Sequence, residues 1–319
     1  METFHLLHFG TVALTVALTA LGVGLGQGLT SLVALEALDT QPHARAEISK
    51  TFILGMALIE TAAIIGLTMS LMLLKPIETA LATQDAVYLA ECAIGLALCI
   101  SGAIIGLIAC LPAQYACRAV ARQPFYGQKI QSLMLLTQSL MQTPIIFGFI
   151  IGLFIKNQLT SVQTIYDSFR LIGSGLSIGI GSIGPSIGLA LFSKEVCKGM
   201  GVNPQAYSRL LSFTLISEAL IESPLIFSLL VALIILQINP VQGMDFIKSS
   251  ALFSSGLCMG LGTLGVGIAS GRVAAKACEQ ISSKPEHYNL LLRTSLFAQV
   301  LIETCSIYAL IISFGLIFA

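Results

Sequence analysis

The chain has 319 residues, of which 55% are hydrophobic and only 10% charged, with 16 Lys+Arg against 16 Asp+Glu and no net charge. Mean hydropathy is +0.90, and a soluble domain carries roughly 25% charged residues, so a soluble enzyme is excluded. With no basic surplus to neutralise phosphates, nucleic acid is excluded as a partner too, and most of the chain is predicted to be dissolved in membrane lipid.

The first element, METFHLLHFG and the apolar stretch to Leu35, lacks a basic leader and runs too long for a signal sequence. It reads as a first membrane helix that is kept. Further apolar spans follow at 48–74, 88–111, 130–155, 168–192, 208–237, 247–270 and 290–318, the first being 6–34. Between them a polar turn containing proline recurs at Pro42, Pro124, Pro204 and Pro285, at separations of 82, 80 and 81 residues. Each turn is flanked by spans long enough to cross a bilayer, which takes about 20 helical residues. The fold class is therefore an all-α membrane protein of eight transmembrane helices, arranged as four tandem helical hairpins. Their expected limits are 1–81, 82–163, 164–243 and 244–319, joined by short connectors near Lys75–Asp85, Lys156–Asp167 and Asn239–Asp245.

Twelve Lys and Arg lie around the proline turns, and four are assigned to the connector side: Lys75, Lys156, Arg170 and Lys248. This asymmetry puts the turns in the cytoplasm and both termini on the opposite side. The cysteines (Cys92, Cys99, Cys110, Cys117, Cys197, Cys258, Cys278 and Cys305) mostly fall in apolar runs with no C-x-x-C pair, and read as small buried hydrophobes.

The first helix of the hairpin is rich in glycine, as at Gly22, Gly24, Gly26 and Gly28. Each glycine costs a helix about 1 kcal/mol against alanine, and in lipid close backbone approach is the compensation. Gly22 and Gly26 share one face, while Gly24 and Gly28 lie nearly opposite. A helix smooth on two sides suits a row with a neighbour on each side, closing as a ring. Gly179-x-Gly181-x-x-Gly184 and Gly260-x-Gly262-x-x-Gly265 match a dinucleotide fingerprint by letter. They lack the strand and the acidic ribose ligand that the fingerprint needs, so that reading is discarded.

Eighteen residues after the four prolines stand Glu60, Gln142, Glu222 and Glu303. A carboxylate in hydrocarbon costs at least about 2.5–3.5 kcal/mol and is functional by default. A helix-pairing role would not explain its return at one depth. Glu60 is placed roughly 16 Å from the cytoplasmic end of its helix, near the midplane.

The glycine-rich first helix, the Arg122-Gln123-Pro124 turn (weaker at Gln41-Pro42, Asn203-Pro204 and Lys284-Pro285), and Ala57-Leu58-Ile59-Glu60-Thr61 with Val300-Leu301-Ile302-Glu303-Thr304 together resemble the c subunit of a rotary F-type ATP synthase, repeated four times. The second hairpin departs from the pattern by carrying Gln142. The resemblance implies a segment of a c-ring, built with further copies of the chain. The resemblance further implies that the proline turns grip the central stalk of the catalytic head, and that Glu60, Glu222 and Glu303 carry an ion past an arginine on the stator a subunit. It implies no catalysis by the chain itself, no cofactor, and an energy-coupling membrane such as the bacterial inner membrane. Hydrocarbon favours a neutral carboxyl and an approaching guanidinium favours the anion, which supports such a cycle.

Sodium-binding members resemble this chain at Gln27, at the hydroxyls Thr61, Ser223 and Thr304, at Tyr308, and at the carbonyl two residues before the acid. That carbonyl belongs to Leu220 in the third hairpin, where Pro224 withholds its backbone donor. Leu189 and Ser270 stand in the register of Gln27, however, and a hard cation binds weakly where an oxygen ligand is lost. Protons are therefore favoured. A sodium-translocating ring of the same or the V-type family, with sodium as the metal at the same sites, is the alternative, and a secondary transporter with parallel repeats is the rival class. Glu218, one turn before Glu222, is a possible proton-sharing neighbour with no assigned role.

Overall fold

The computed structural model describes residues 2–75, 84–238 and 245–319. The connectors expected near Lys75–Asp85 and Asn239–Asp245, with the hairpin limits at 81/82 and 243/244, fall largely or wholly outside the described residues. Regular structure among the described residues is entirely helical: α1 (Glu2–Thr40), α2 (Arg45–Leu73), α3 (Gln84–Ile108), α4 (Cys110–Arg122), α5 (Gly127–Leu140), α6 (Thr143–Gln158), α7 (Ile165–Gly181), α8 (Ile183–Val202), α9 (Tyr207–Gln237), α10 (Phe246–Ser283) and α11 (Tyr288–Phe318). Counting through their breaks, they make eight helices long and apolar enough to span a membrane. The 38 residues of α10 run about 57 Å. They overhang the roughly 30 Å hydrocarbon layer, so the helices are longer than the apolar runs that revealed them.

The four turns are built alike because proline dictates them. Gln41, Gln123, Asn203 and Lys284 have φ of −139°, −133°, −143° and −133°, since a residue before proline is pushed out of the α region. Each first helix ends there, and the proline opens a single 3-10 turn, where its fixed φ and missing N–H suit the first helical position. The second helix starts directly behind.

The first helices pack along one another, α1 on α3, α3 on α7, and α7 and α8 on α10, whereas the second helices touch each other sparsely. Tight spacing in the first row comes from glycine. A Cβ built at Gly22 would run into the Ala103 carbonyl, at Gly26 into that of Gly106, at Gly184 into that of Leu264, and at Gly188 into that of Gly267. Gly24 and Gly28, on the opposite face of α1, meet nothing, and neither does Gly265 on α10. The expected pair of smooth faces is thus half filled in α1.

Polar links reach backward by one repeat and hold neighbours in register. Gln131 Nε2 donates to the Glu47 carbonyl at 3.3 Å, Lys156 Nζ to that of Met72 at 2.7 Å, Ser168 Oγ to that of Ala86 at 2.6 Å, and Ser249 Oγ to that of Tyr166 at 2.7 Å. The buried pair His8 Nδ1 and Glu91 Oε2, 2.6 Å apart, ties α1 to α3. At the proline turns, Arg118 Nη2 meets Glu36 Oε2 at 3.1 Å, and Asn203 Nδ2 donates to the Ser282 carbonyl at 3.2 Å.

Of the four bases counted on the connector side, Lys156, Arg170 and Lys248 lie inside helices, and the last two serve neighbouring helix ends. Arg170, 2% exposed, sits in α7 and donates through Nη1 to the carbonyls of Ile235, Leu236 and Ile238, and through Nη2 to Gln158 Oε1. Lys248 in α10 donates to the Ile317 carbonyl at 2.7 Å. Both satisfy carbonyls that a helix leaves open at its C-terminal end.

Candidate functional site

The three acids lie at the centres of their helices. Glu222 is the midpoint of Tyr207–Gln237, Glu303 that of Tyr288–Phe318, and Glu60 is one residue past that of Arg45–Leu73. Because α2 begins at Arg45 rather than near Ser49, Glu60 stands about 22 Å along its helix rather than 16 Å. In the second hairpin this point is a break, with Met141 and Gln142 separating α5 from α6 just before Pro144. The α9 helix instead runs straight through Pro224.

The same hydroxyl bond is present at every site. Thr61 donates to the Leu58 carbonyl at 2.7 Å, Thr143 to that of Leu140 at 2.7 Å, Ser223 to that of Leu220 at 2.9 Å, and Thr304 to that of Leu301 at 2.7 Å. The Leu220 carbonyl, deprived of its backbone donor by Pro224, is therefore served by Ser223. Leu58 and Leu301 accept the same bond with no proline nearby, so this hydroxyl is a property of the register.

Sites also reach across hairpin boundaries. Gln142 Nε2 donates to the Leu58 carbonyl at 3.0 Å, beside a cavity of about 400 Å³ lined by Leu58, Thr61, Ser139 and Gln142 among others. The Glu222 carboxyl lies beside the Thr143 hydroxyl of the second hairpin, while its Oε1 is buried with no donor. Thr143 was not singled out from the sequence, although its position after Gln142 matches those of Thr61, Ser223 and Thr304. Glu60, in the first hairpin, is exposed, and Glu303 is half-buried.

The remaining sequence candidates are dispersed in the single chain. Gln27 is half-buried on α1, Ser270 donates to Gln299 Oε1 at 3.3 Å, and Tyr308 is 65% exposed on α11. In the turns, Pro42 and Lys284 are exposed, Gln41, Gln123, Pro124, Asn203 and Pro285 are half-buried, and Pro204 is buried. Arg122 is exposed and lines a cavity of about 90 Å³ with Tyr115, Arg118 and Lys198.

The family model for the ATP synthase C subunit matches residues 11–73, 172–235 and 253–316, more than half of the chain. The chain belongs to this family. The three matches fall on the hairpins that carry Glu60, Glu222 and Glu303, and pass over the one with Gln142. Similar relatives include the chloroplastic ATP synthase c subunit of Euglena gracilis, 40% identical over 70 residues, which are 22% of this chain and 86% of the relative. The second ATP synthase c subunit of Syntrophotalea carbinolica is 40% identical over 77 residues, 24% of this chain and 88% of the relative. That of Campylobacter curvus is 32% identical over 76 residues, 24% and 76%. Each covers about a quarter of this integral membrane protein of the C-subunit family.

Proposed function

We propose that this chain is an ion-carrying rotor component of an F-type ATP synthase, with Glu60, Glu222 and Glu303 as the carriers. The observation that supports this most is a carboxyl at the centre of the second helix in three of four hairpins of a C-subunit chain. Facing lipid, each carboxyl keeps its ion; facing an arginine on the stator a subunit, it releases it. The chain catalyses nothing itself and needs no cofactor. The proline turns face the cytoplasm of an energy-coupling membrane, such as a bacterial inner membrane, and bind the central stalk, while both termini face the other side.

Further copies of the chain complete the ring. In register with the open Gly24 and Gly28 of α1 stand Gly267 and Gly271 of α10, which press against the third hairpin at Gly184, Pro185 and Gly188. In register with Gly184 stands the open Gly265. The open face of α10 therefore offers the next copy's α1 the contact already made between the third and fourth hairpins. Charge agrees with this pairing, since Arg272 is exposed on α10 and Asp39 on α1. About two to four copies close the ring. Glu60 then gains from the preceding copy the Leu301 carbonyl and Thr304 hydroxyl, as Glu222 has Thr143.

The carried ion is a proton. In the closed ring every acid faces the hydroxyl and the carbonyl of the preceding hairpin, enough for a carboxyl proton, while the oxygen of Gln27 is replaced by Leu189 in the third hairpin. Labelling of the ring by a carbodiimide specific for protonated carboxyls, with and without sodium at fixed pH, tests both points. The expected result is labelling at Glu60, Glu222 and Glu303 that millimolar sodium does not suppress. Strong protection would assign sodium to the sites, and absence of label at all three in a folded ring would reject the carrier role.

A further inference from the structure

Glu218 is 1% exposed at the boundary between the second and third hairpins. Ser193 Oγ lies 3.4 Å from its Oε1, and its Oε2 has no donor. One helical turn on, Oε1 of Glu222 is likewise buried without a donor. The titratable groups facing this pair are each other on α9 and the Cys197 thiol on α8, which lies near Thr137 on α5 and Cys117 on α4. Toward α10 and α11 the boundary presents Ser217, Ser270 and Gln299, which are linked among themselves. Among the described residues no Lys or Arg is paired with either carboxyl.

The register says what this position requires. Its counterparts are Met56, Gln138 and Gln299. Both amides act as neutral donors between helices: Gln138 Nε2 donates to the Ala109 carbonyl at 2.8 Å, and Gln299 Nε2 to Ser217 Oγ at 3.5 Å. A carboxyl can take that part only when protonated, as an O–H donor. Two anions one turn apart with no base between them would repel in a medium that already disfavours each. Side chains four residues apart on a helix do reach one another.

We propose that Glu218 keeps its proton throughout the cycle and donates it in a hydrogen bond to the Glu222 carboxylate whenever Glu222 is unloaded, giving the third hairpin a two-carboxyl site. When Glu222 passes its proton toward the stator, the Glu218 O–H turns to the new anion; when Glu222 is reloaded, that bond is given up. No proton leaves Glu218, which is a positioning residue, and the proposal rests on Glu222 being a carrier.

The test is site-resolved carbodiimide labelling of the assembled ring against pH, with Glu60 and Glu303 in the same chain as internal references. Glu218→Met installs the residue that the first hairpin carries here, and removes the donor. The pH of half-maximal labelling at Glu222 is expected to rise by about one unit or more, a tenfold change in proton concentration set by the loss of a charge-assisted bond, with both references unmoved. Glu218→Gln, the residue of the other two hairpins, retains a donor and keeps the wild-type profile. An unmoved Glu222 profile in Glu218→Met, or a Glu218→Gln profile displaced as far as that of Glu218→Met, overturns the proposal. Absence of label at Glu60, Glu222 and Glu303 alike in the wild-type ring removes the carrier reading instead, and the proposal with it.

Discussion

The Gln142 side chain donates through Nε2 to the Leu58 carbonyl at 3.0 Å, across the boundary between the first two hairpins. An amide there makes permanently the bond that a carboxyl in the same register makes only while protonated. Gln142→Glu is therefore expected to add a fourth titrating site without disturbing the fold, raising the positions whose carbodiimide labelling falls as pH rises from three to four per chain. A count that stays at three in a folded ring would show that the second hairpin cannot present a carrier.

The two faces of α1 should respond oppositely to added bulk. A Cβ at Gly26 meets the Gly106 carbonyl, so Gly26→Leu forces the first two hairpins apart, costing about 1–3 kcal/mol or more. Gly24 has open space around it, so Gly24→Leu should leave the single chain folded and block its assembly. Thermal unfolding reads the first as lost stability, and native mass spectrometry in mild detergent reads the second as monomers in place of rings.

Arg170 joins the end of α9 to α7 and to Gln158 through buried hydrogen bonds. Arg170→Leu leaves those carbonyls without their donor and is expected to lower stability by about 2–3 kcal/mol, read as a fall in Tm. Arg170→Lys should recover little, because one ammonium cannot reproduce the planar fork. Arg272→Leu, exposed on the open face of α10, should leave the Tm of the single chain within error.

The hydroxyl bonds after the acids are unequal in consequence. Ser223→Ala strips the Leu220 carbonyl of the donor that replaces the one withheld by Pro224, at a cost of about 1 kcal/mol. Thr61→Ala costs less, because the Leu58 carbonyl also accepts from Gln142. Pro224→Ala restores a backbone donor and should rescue Ser223→Ala. Thermal unfolding of the singles and the double gives the comparison, and additive losses would refute this account.

Much of this protein was legible in the sequence because its determinants are periodic and local. Proline at each polar turn ends the helix before it, glycine at close spacing marks close backbone approach, and an acid eighteen residues past a turn proline in apolar surroundings stands out at Glu60, Glu222 and Glu303. What could not be read is what each side chain meets across a boundary. Thr143 beside Glu222, Gln142 serving Leu58, and Arg170 reaching Gln158 and the end of α9 are contacts between residues about 12 to 84 positions apart, with no local signature. The carbonyl of Leu220 looked vacant because the rule for proline counts only backbone donors, and a hydroxyl on the next turn supplied another. The sequence alone thus determined the hairpins, their number and the register of their acids, since those follow from chain stiffness and from the cost of polar groups in lipid. Only the tertiary structure decided which glycine faces are filled and which stay open, because close approach depends on the backbone of the neighbouring hairpin, and the first and fourth hairpins each lack a neighbour within the chain.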